Sequence, residues 1–523
     1  MSSSAPITKA PRPGGSFQSG LWTALPVAAA LVYGLGHLAW YLGTPLGRVP
    51  VLDERENLDL GAAIAGGTLP AVPFYRAQGY ALVLACLQWS GVPPAGIFSA
   101  ALLLGVGLHA ACTLLVARLS GRWFGDRAAL AAGLLFALNP VMVHFATQAV
   151  DATLGLALFL AGLDLLVRAR EAAARPGPWA GSSFFWAGAT LVRPNYLLSW
   201  ALAPAFTAFL PAGWRRLACL LAALLPAALL FGAASAWQAR VSGVPGFMPW
   251  QGAYNLWAAN RPGANGRYFT QRVSLPPELA RANPARAESI LEYAEETHGL
   301  APEIPAMNAH WRARFAGEVL GHPLRWGALM ARKAYALANT WEQYNNKTFA
   351  FHKALSPWLR WNPLGWGVVL VLGVAGAARL AAERPDAAWT LAAAGASCAA
   401  SVILFFVSAR FRLPLAALLT VLAGGAVAAP GFWRGWTAAH RAWLLSCLAL
   451  AAFVAFSRFD GVDDRSTFVQ DHVLLARAAF TVGDDETALS EAREALRMQP
   501  WHPDAAAIAD AAAAELARRR NPP

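Results

Sequence analysis

VPVLDERENLDLGAAIAGG, residues Val49–Gly67, decides how the rest of the chain is read. Upstream lie a polar N-terminus, MSSSAPITKAPRPGGSFQSG, and an apolar run, Leu21–Gly43, with no evident cleavage site. That run is long enough to cross a bilayer and reads as an uncleaved first span. Asp53, Glu54, Arg55 and Glu56 therefore stand beside a membrane, where ionised groups are costly unless they sit in water or are held for chemistry. Spacing alone leaves two readings of Asp53. Asp53-x-x-Glu56 fits a helix N-cap with a capping box, ahead of a helix whose apolar stripe of Leu58, Ala62 and Ala65 lies on lipid. Alternatively, Asp53 offers a carboxylate to a substrate. The two are compatible, because a cap residue keeps a second oxygen.

Composition agrees with a membrane setting. Of 523 residues, 57% are hydrophobic and 14% charged, where a soluble chain carries about 25% charged. The net charge of +12 comes from 42 Lys and Arg against 30 Asp and Glu. It suggests nucleic acid until its placement is followed. Arg118, Arg122 and Arg127 share one turn, Arg168, Arg170 and Arg175 a second, Arg215 and Arg216 a third; Arg379, Arg384, Arg434 and Arg441 continue the series. The turns between carry His144, Asp151 and Arg193–Pro194–Asn195. Positive-inside bias puts the basic turns in the cytoplasm, together with Lys9, Arg12 and the disordered-looking residues 1–20. No nucleic-acid partner is needed to explain the charge. The five cysteines form no Cys-x-x-Cys pair, so neither a disulfide framework nor a thiolate metal site is indicated.

The expected architecture is an all-α polytopic membrane protein with about eleven spans. Residues 21–240 form an N-terminal membrane core with a first outer loop over 44–79. Phe74–Val92 reads as a helix along the outer surface. Residues 241–362 form an extracytoplasmic, partly helical cap with a helix near Ala285–Thr297, and residues 363–457 the remaining membrane helices. Residues 465–520 are soluble in character. Ala476, Gly483, Ala488, Ala495 and Pro500 fit a tetratricopeptide-like unit, with an ordinary helical hairpin as the plain alternative. A repeat and a half is too little to stand alone, so it packs on the cap or on a protein partner. This count leaves the C-terminus extracytoplasmic.

A first span followed by an outer loop with Asp–Glu and an amphipathic helix resembles the GT-C membrane glycosyltransferases. The branch it is most similar to is that of the dolichyl-phosphate-mannose–protein mannosyltransferase-like and aminoarabinose-transferase-like enzymes. PFYRAQGYALVLACLQ, GATLVRPNYLL and SARFRLPLAALL follow in the same order. The likeness covers Leu21–Phe456 and leaves out the tetratricopeptide-like region. It implies transfer of a sugar from a polyprenyl-phosphate carrier to a protein, lipid or glycan acceptor on the outer face of a membrane, such as a bacterial inner membrane. By the resemblance Asp53 is the catalytic residue, and Asp151 matches a second acid of the site.

Chemistry then assigns the remaining candidates. A carboxylate within hydrogen-bond reach takes the proton of an attacking hydroxyl, and attack opposite the phosphate inverts the anomeric centre. Asp53 is placed first as that base, with Glu54 orienting it. The departing phosphate needs cations, for which the outer arginines are Arg55, Arg76, Arg193, Arg410 and Arg412. The forked guanidinium suits phosphate; snorkelling or helix-end stabilisation is the structural alternative. Asp151 is a candidate second acid or a helix cap, and Glu342 an acceptor contact or an exposed loop charge. Asp53 and Asp151 could hold a divalent cation, but no spacing rule supports one and no metal is assigned. Two rivals remain. A lipid or solute transporter has as many spans but should show inverted repeats and charges near the midplane. A membrane scaffold explains the C-terminal repeats and leaves the first loop unexplained.

Overall fold

The computed structural model describes residues 20–171, 175–267, 284–300, 302–459 and 465–520. Residues 1–19, where the N-terminal disorder was expected, and part of the cap loop lie outside the described residues. Among the described residues the fold is helical, with two isolated β-bridges. Lipid offers the backbone no hydrogen-bond partner, so each spanning segment must satisfy its own amides.

Among the described residues eight helices are long and apolar enough to cross a membrane: Gly20–Leu42, Pro94–Phe124, Ala152–Glu171, Trp214–Ser242, Trp366–Glu383, Pro385–Leu404, Ala409–Ala428 and Ala438–Phe456. Asp126–Ala137 and Pro140–Ala146 make a ninth if the pair, bent by 59°, is one span. The bend has a local cause. Pro140 has no N–H for the helical ladder, and the Asn139 side chain accepts the N–H of Val141 at 3.0 Å. The other two expected runs are less regular. Ala180–Val192 lies in the 17-residue helix Pro176–Val192. Tyr196–Leu210 is split among Pro194–Tyr196, Leu197–Trp200 and Leu202–Thr207. Broken backbone at membrane depth is tolerated where it lines a cavity, as Arg193, Pro194 and Asn195 do here.

Ala409–Ala428 is the central helix, with 72% of its apolar stretch buried against 11% for the peripheral Ala438–Phe456. Around it Trp123, Phe136, Phe159, Trp186 and Tyr196 fill one continuous core. Leu217, Leu221, Leu225 and Leu229 recur every four residues on one exposed face of Trp214–Ser242, as a lipid-facing stripe requires. The basic turns meet at one end of the bundle. There Arg122 bonds Glu171 at 2.6 Å, Arg170 donates to the carbonyl of Asp386 at 3.1 Å, and Arg379 donates to that of Gly425 at 2.6 Å. Asp53, Asp151, Arg193 and Arg410 gather elsewhere, on turns that alternate with these.

The cap is built round Trp250, Tyr254, Trp257, Tyr293, Met307 and Trp311. Its expected helix near 285–297 is present as Pro284–Glu296. Buried Lys333 donates to Asn260 Oδ1 at 2.9 Å and to the carbonyl of Phe405, which ties the cap to the turn before the central helix. Phe74–Val92 contains Gln78–Trp89, at 12 residues too short to cross.

Three C-terminal helices, Arg465–Thr481, Asp485–Met498 and Pro503–Arg520, pack through fully buried Ala476, Ala488, Ala492 and Ala495. Gly483, with φ of 78°, makes the first turn between them. The group docks on the bundle. Leu474, Leu475 and Ala478 join Leu38, Tyr41 and Leu46, and buried Asp471 accepts the Thr348 N–H at 2.9 Å and meets His352 Nε2 at 3.1 Å. Removing the Asp471 carboxylate strands a buried amide, at about 1–3 kcal/mol. In Asp471→Ala, hydrogen exchange should speed up at Thr348 and across Arg465–Thr481 together. Unaltered protection would mean that docking rests on Leu474 and Leu475 alone.

Candidate active site

The helix Asp53–Ala65 begins at a strained residue. Leu52 has φ of 49° and ψ of −123°, a conformation costing a side-chain-bearing residue about 1–3 kcal/mol. It turns the chain so that the first two helical residues face inward. Asp53, Glu54, Asn57, Gly61 and Ile64 form the buried face. The expected capping box is absent: Leu52 occupies the cap position, and the Glu56 carboxylate is bound by Arg76 instead. A Cβ on Gly61 would lie 2.9 Å from the Cβ of Leu84, and one on Gly79 2.8 Å from the carbonyl oxygen of Leu191. Glycine at these two contacts lets Asp53–Ala65, Gln78–Trp89 and the end of Pro176–Val192 close up, which brings Arg76 and Arg193 to one place.

Asp53 is 3% exposed. Arg76 holds one of its oxygens and Arg410 the other, the latter at 2.7 Å, and Asn346 donates to it as well. Burial opposes its charge, but Arg76 and then Arg410 outweigh burial and hold the carboxyl well below the usual carboxylate range. Glu54 is equally buried and serves another purpose. It accepts from Lys347 Nζ at 3.0 Å, from the N–H of Val51 at 3.3 Å and from the N–H of Ala149 at 3.4 Å. Lys347 also donates to the Tyr41 hydroxyl at 2.8 Å. Asn57 donates to the carbonyl of Ala149 at 3.4 Å. Glu54 and Asn57 thus fix Ala149, two residues before Asp151.

Asp151 is held more loosely than Asp53. One oxygen lies 3.7 Å from Arg193 and 3.9 Å from Arg410 and accepts no hydrogen bond. It lines a cavity of about 340 Å³ with Arg76, Arg193 and Arg410. Asn195 and Ser401 add polar groups; Leu197, Leu198, Val402, Phe405, Phe406 and Phe411 make the apolar wall. The Arg193 guanidinium lies over the Phe411 ring at 4.5 Å, which fixes its plane.

No protein-family model and no curated protein matches the chain. Similar solved structures include the Archaeoglobus fulgidus oligosaccharyltransferase in its apo form, at 13% identity and a TM-score of 0.47, covering 84% of this chain and 55% of that one. Also similar, at 11% identity and a TM-score of 0.41, is the same archaeal enzyme, AglB, in complex with an inhibitory peptide and a dolichol-phosphate, covering 88% of this chain and 58% of that one. ArnT from Cupriavidus metallidurans bound to undecaprenyl phosphate is similar at 17% identity and a TM-score of 0.31, covering 78% of each chain. This chain thus spans little more than half the length of the archaeal enzyme.

Four of the candidates from the sequence, Arg55, Arg412, Glu342 and Glu54, do not line the cavity. Arg55 is exposed and paired with Asp59 at 3.8 Å; two residues on from Asp53 it falls on the opposite helix face, away from the cavity. Arg412 is likewise turned away from Arg410. It pairs with Glu342 at 2.6 Å, donates to the carbonyls of Asn339 and Trp341, and lies over the Trp366 ring. Arg412 and Glu342 therefore hold the late cap against the bundle, and neither lines the cavity. Glu54 is spent on Lys347 and Ala149 rather than on Asp53. Asp53 itself stands behind Arg76 and Arg410, and a cation shared with Asp151 would have to displace Arg410. Lys347, Asn346 and Ser401 gave no signal for this site in the sequence, where Asn346-Lys347-Thr348 reads only as a glycosylation sequon that matters in a host that glycosylates it.

Glu54→Gln removes the only anion within hydrogen-bond reach of buried Lys347 among the described contacts. Loss of one partner of a buried pair costs about 3–5 kcal/mol. The variant should melt well below wild type in detergent, and Glu54→Gln with Lys347→Met should recover much of the loss. No recovery in the double variant would show that Glu54 matters through Ala149 alone.

Proposed function

We propose that the protein is an integral-membrane glycosyltransferase that moves a sugar from a polyprenyl-phosphate carrier to a protein, lipid or glycan acceptor, with inversion. The observation that carries this is a mostly apolar cavity lined by three arginines and by one carboxylate with an oxygen that accepts no hydrogen bond. Forked guanidiniums match phosphate oxygens, and the apolar wall suits an isoprenoid chain. The cavity lies away from the basic turns, so the positive-inside bias makes it extracytoplasmic, with the N-terminus cytoplasmic and the C-terminal helices outside. Those helices offer a surface for a protein partner. A bacterial inner membrane is the setting that fits.

Arg76 and Arg410 bind the carrier phosphate, and Asp53 aligns their guanidiniums from behind. Arg193, steadied on Phe411, completes the set. The acceptor hydroxyl oxygen attacks the anomeric carbon as the bond from that carbon to the phosphate oxygen breaks. The electron pair leaves on the phosphate, where the arginines receive the charge. The hydroxyl proton passes to the free oxygen of Asp151. Asp53 is a poorer base, because both its oxygens are occupied and its proton affinity is lowered by two cations.

Cells lacking the chain should lose a hexose or pentose from an envelope glycan or protein, read by mass spectrometry; an unaltered sugar inventory would favour a transporter. Complementation then separates the two acids. Asp151→Asn should lower kcat about 10²–10⁴-fold with donor binding intact. Asp53→Asn should weaken donor binding as the two arginines lose their anchor. A loss of kcat alone in Asp53→Asn would make Asp53 the base.

A further inference from the structure

The arginine-lined cavity contains more unpaired polar atoms than a lipid phosphate would use. Ser401 is 4% exposed and its hydroxyl has no partner. A helical serine in an apolar setting ordinarily bonds back to a carbonyl of the preceding turn, as Ser397 does to that of Ala394 at 2.8 Å; the Ser401 hydroxyl bonds to nothing. Asn195 Oδ1 is buried and unpaired on the opposite element, directly after the Arg193–Pro194 break. Asp151 Oδ1 is the third such atom, and all three residues line the same cavity. Buried polar groups in native proteins are satisfied, by protein, water or ligand. Two of these atoms only accept hydrogen bonds, and the third both donates and accepts. A ligand completing them carries several hydroxyls, which a phosphate lacks and a pyranose has.

Resting on the donor reading above, we propose that Asn195 and Ser401 are the sugar-recognition residues, forming with Asp151 a subsite for a hydroxyl-rich, uncharged pyranose next to the phosphate-binding arginines. Asn195 Oδ1 accepts from one ring hydroxyl and Ser401 Oγ exchanges with another. Phe405 and Phe406 offer apolar contact to the C–H face of the ring.

The test is binding by the full chain in nanodiscs. The probes are undecaprenyl phosphate alone and a panel of undecaprenyl-phosphate monosaccharides covering a neutral hexose, an N-acetylhexosamine and a pentose. Wild type should bind at least one sugar-bearing lipid more tightly than the bare phosphate. Asn195→Ala and Ser401→Ala should each reduce that preference by about three- to tenfold, the worth of one net hydrogen bond, and leave bare-phosphate affinity unchanged. Because the Ser401 hydroxyl has no protein partner, Ser401→Ala should keep or raise Tm, which separates recognition from folding. A sugar preference intact in both variants, or none in wild type while Arg410→Ala still weakens phosphate binding, overturns the subsite and spares the donor reading. Undecaprenyl phosphate binding that is absent, or indifferent to Arg410→Ala, overturns both.

Discussion

Asp53 between Arg76 and Arg410 is the interaction on which the site depends. Two guanidiniums confined beside an apolar cavity repel one another and would each be costly to bury unpaired. One carboxylate, with an oxygen for each, makes the pair tolerable and sets both forks towards the cavity. The three partners come from the helix Asp53–Ala65 after the first span, the segment before Gln78–Trp89 and the central helix Ala409–Ala428. The ion cluster is therefore also the point where distant parts of the bundle are fastened together.

Around that cluster lies a second set of buried contacts whose role is support. Lys347 joins Glu54 to Tyr41, Glu54 and Asn57 hold Ala149, and Thr348 is capped by Asp471 of the C-terminal helices. Hydrogen bonds, linked by the Lys347–Thr348 backbone, thus connect the C-terminal group through the late cap to the start of the Asp53 helix and on to Ala149, two residues before Asp151. Each member is buried, so losing one leaves the next with an uncompensated polar group. The strained Leu52 persists because this network overdetermines the entry of the helix.

The cavity also explains irregularities that a uniform bundle would not have. The break after Arg193, the unpaired Ser401 and the free oxygen of Asp151 each look unfavourable alone. They face one space, where one polar ligand would resolve them together. Local exceptions of this kind gather where function is placed.

The sequence by itself determined the helical membrane architecture, the cap, the separate C-terminal helices and the loop that bears the site, because apolar length and the placement of arginines follow directly from lipid solvation. It also put Asp53, Asp151, Arg76, Arg193 and Arg410 on turns of one kind. What it left open was direction. Arg410 and Arg412 are two residues apart, as are Asp53 and Arg55, and only the helix rotation fixed by packing sends one of each pair to the cavity. Which acid stays open was decided the same way. Asp53 and Asp151 carry the same group, and tertiary structure separates them by bringing two arginines onto the first and leaving an oxygen of the second without a hydrogen-bond partner.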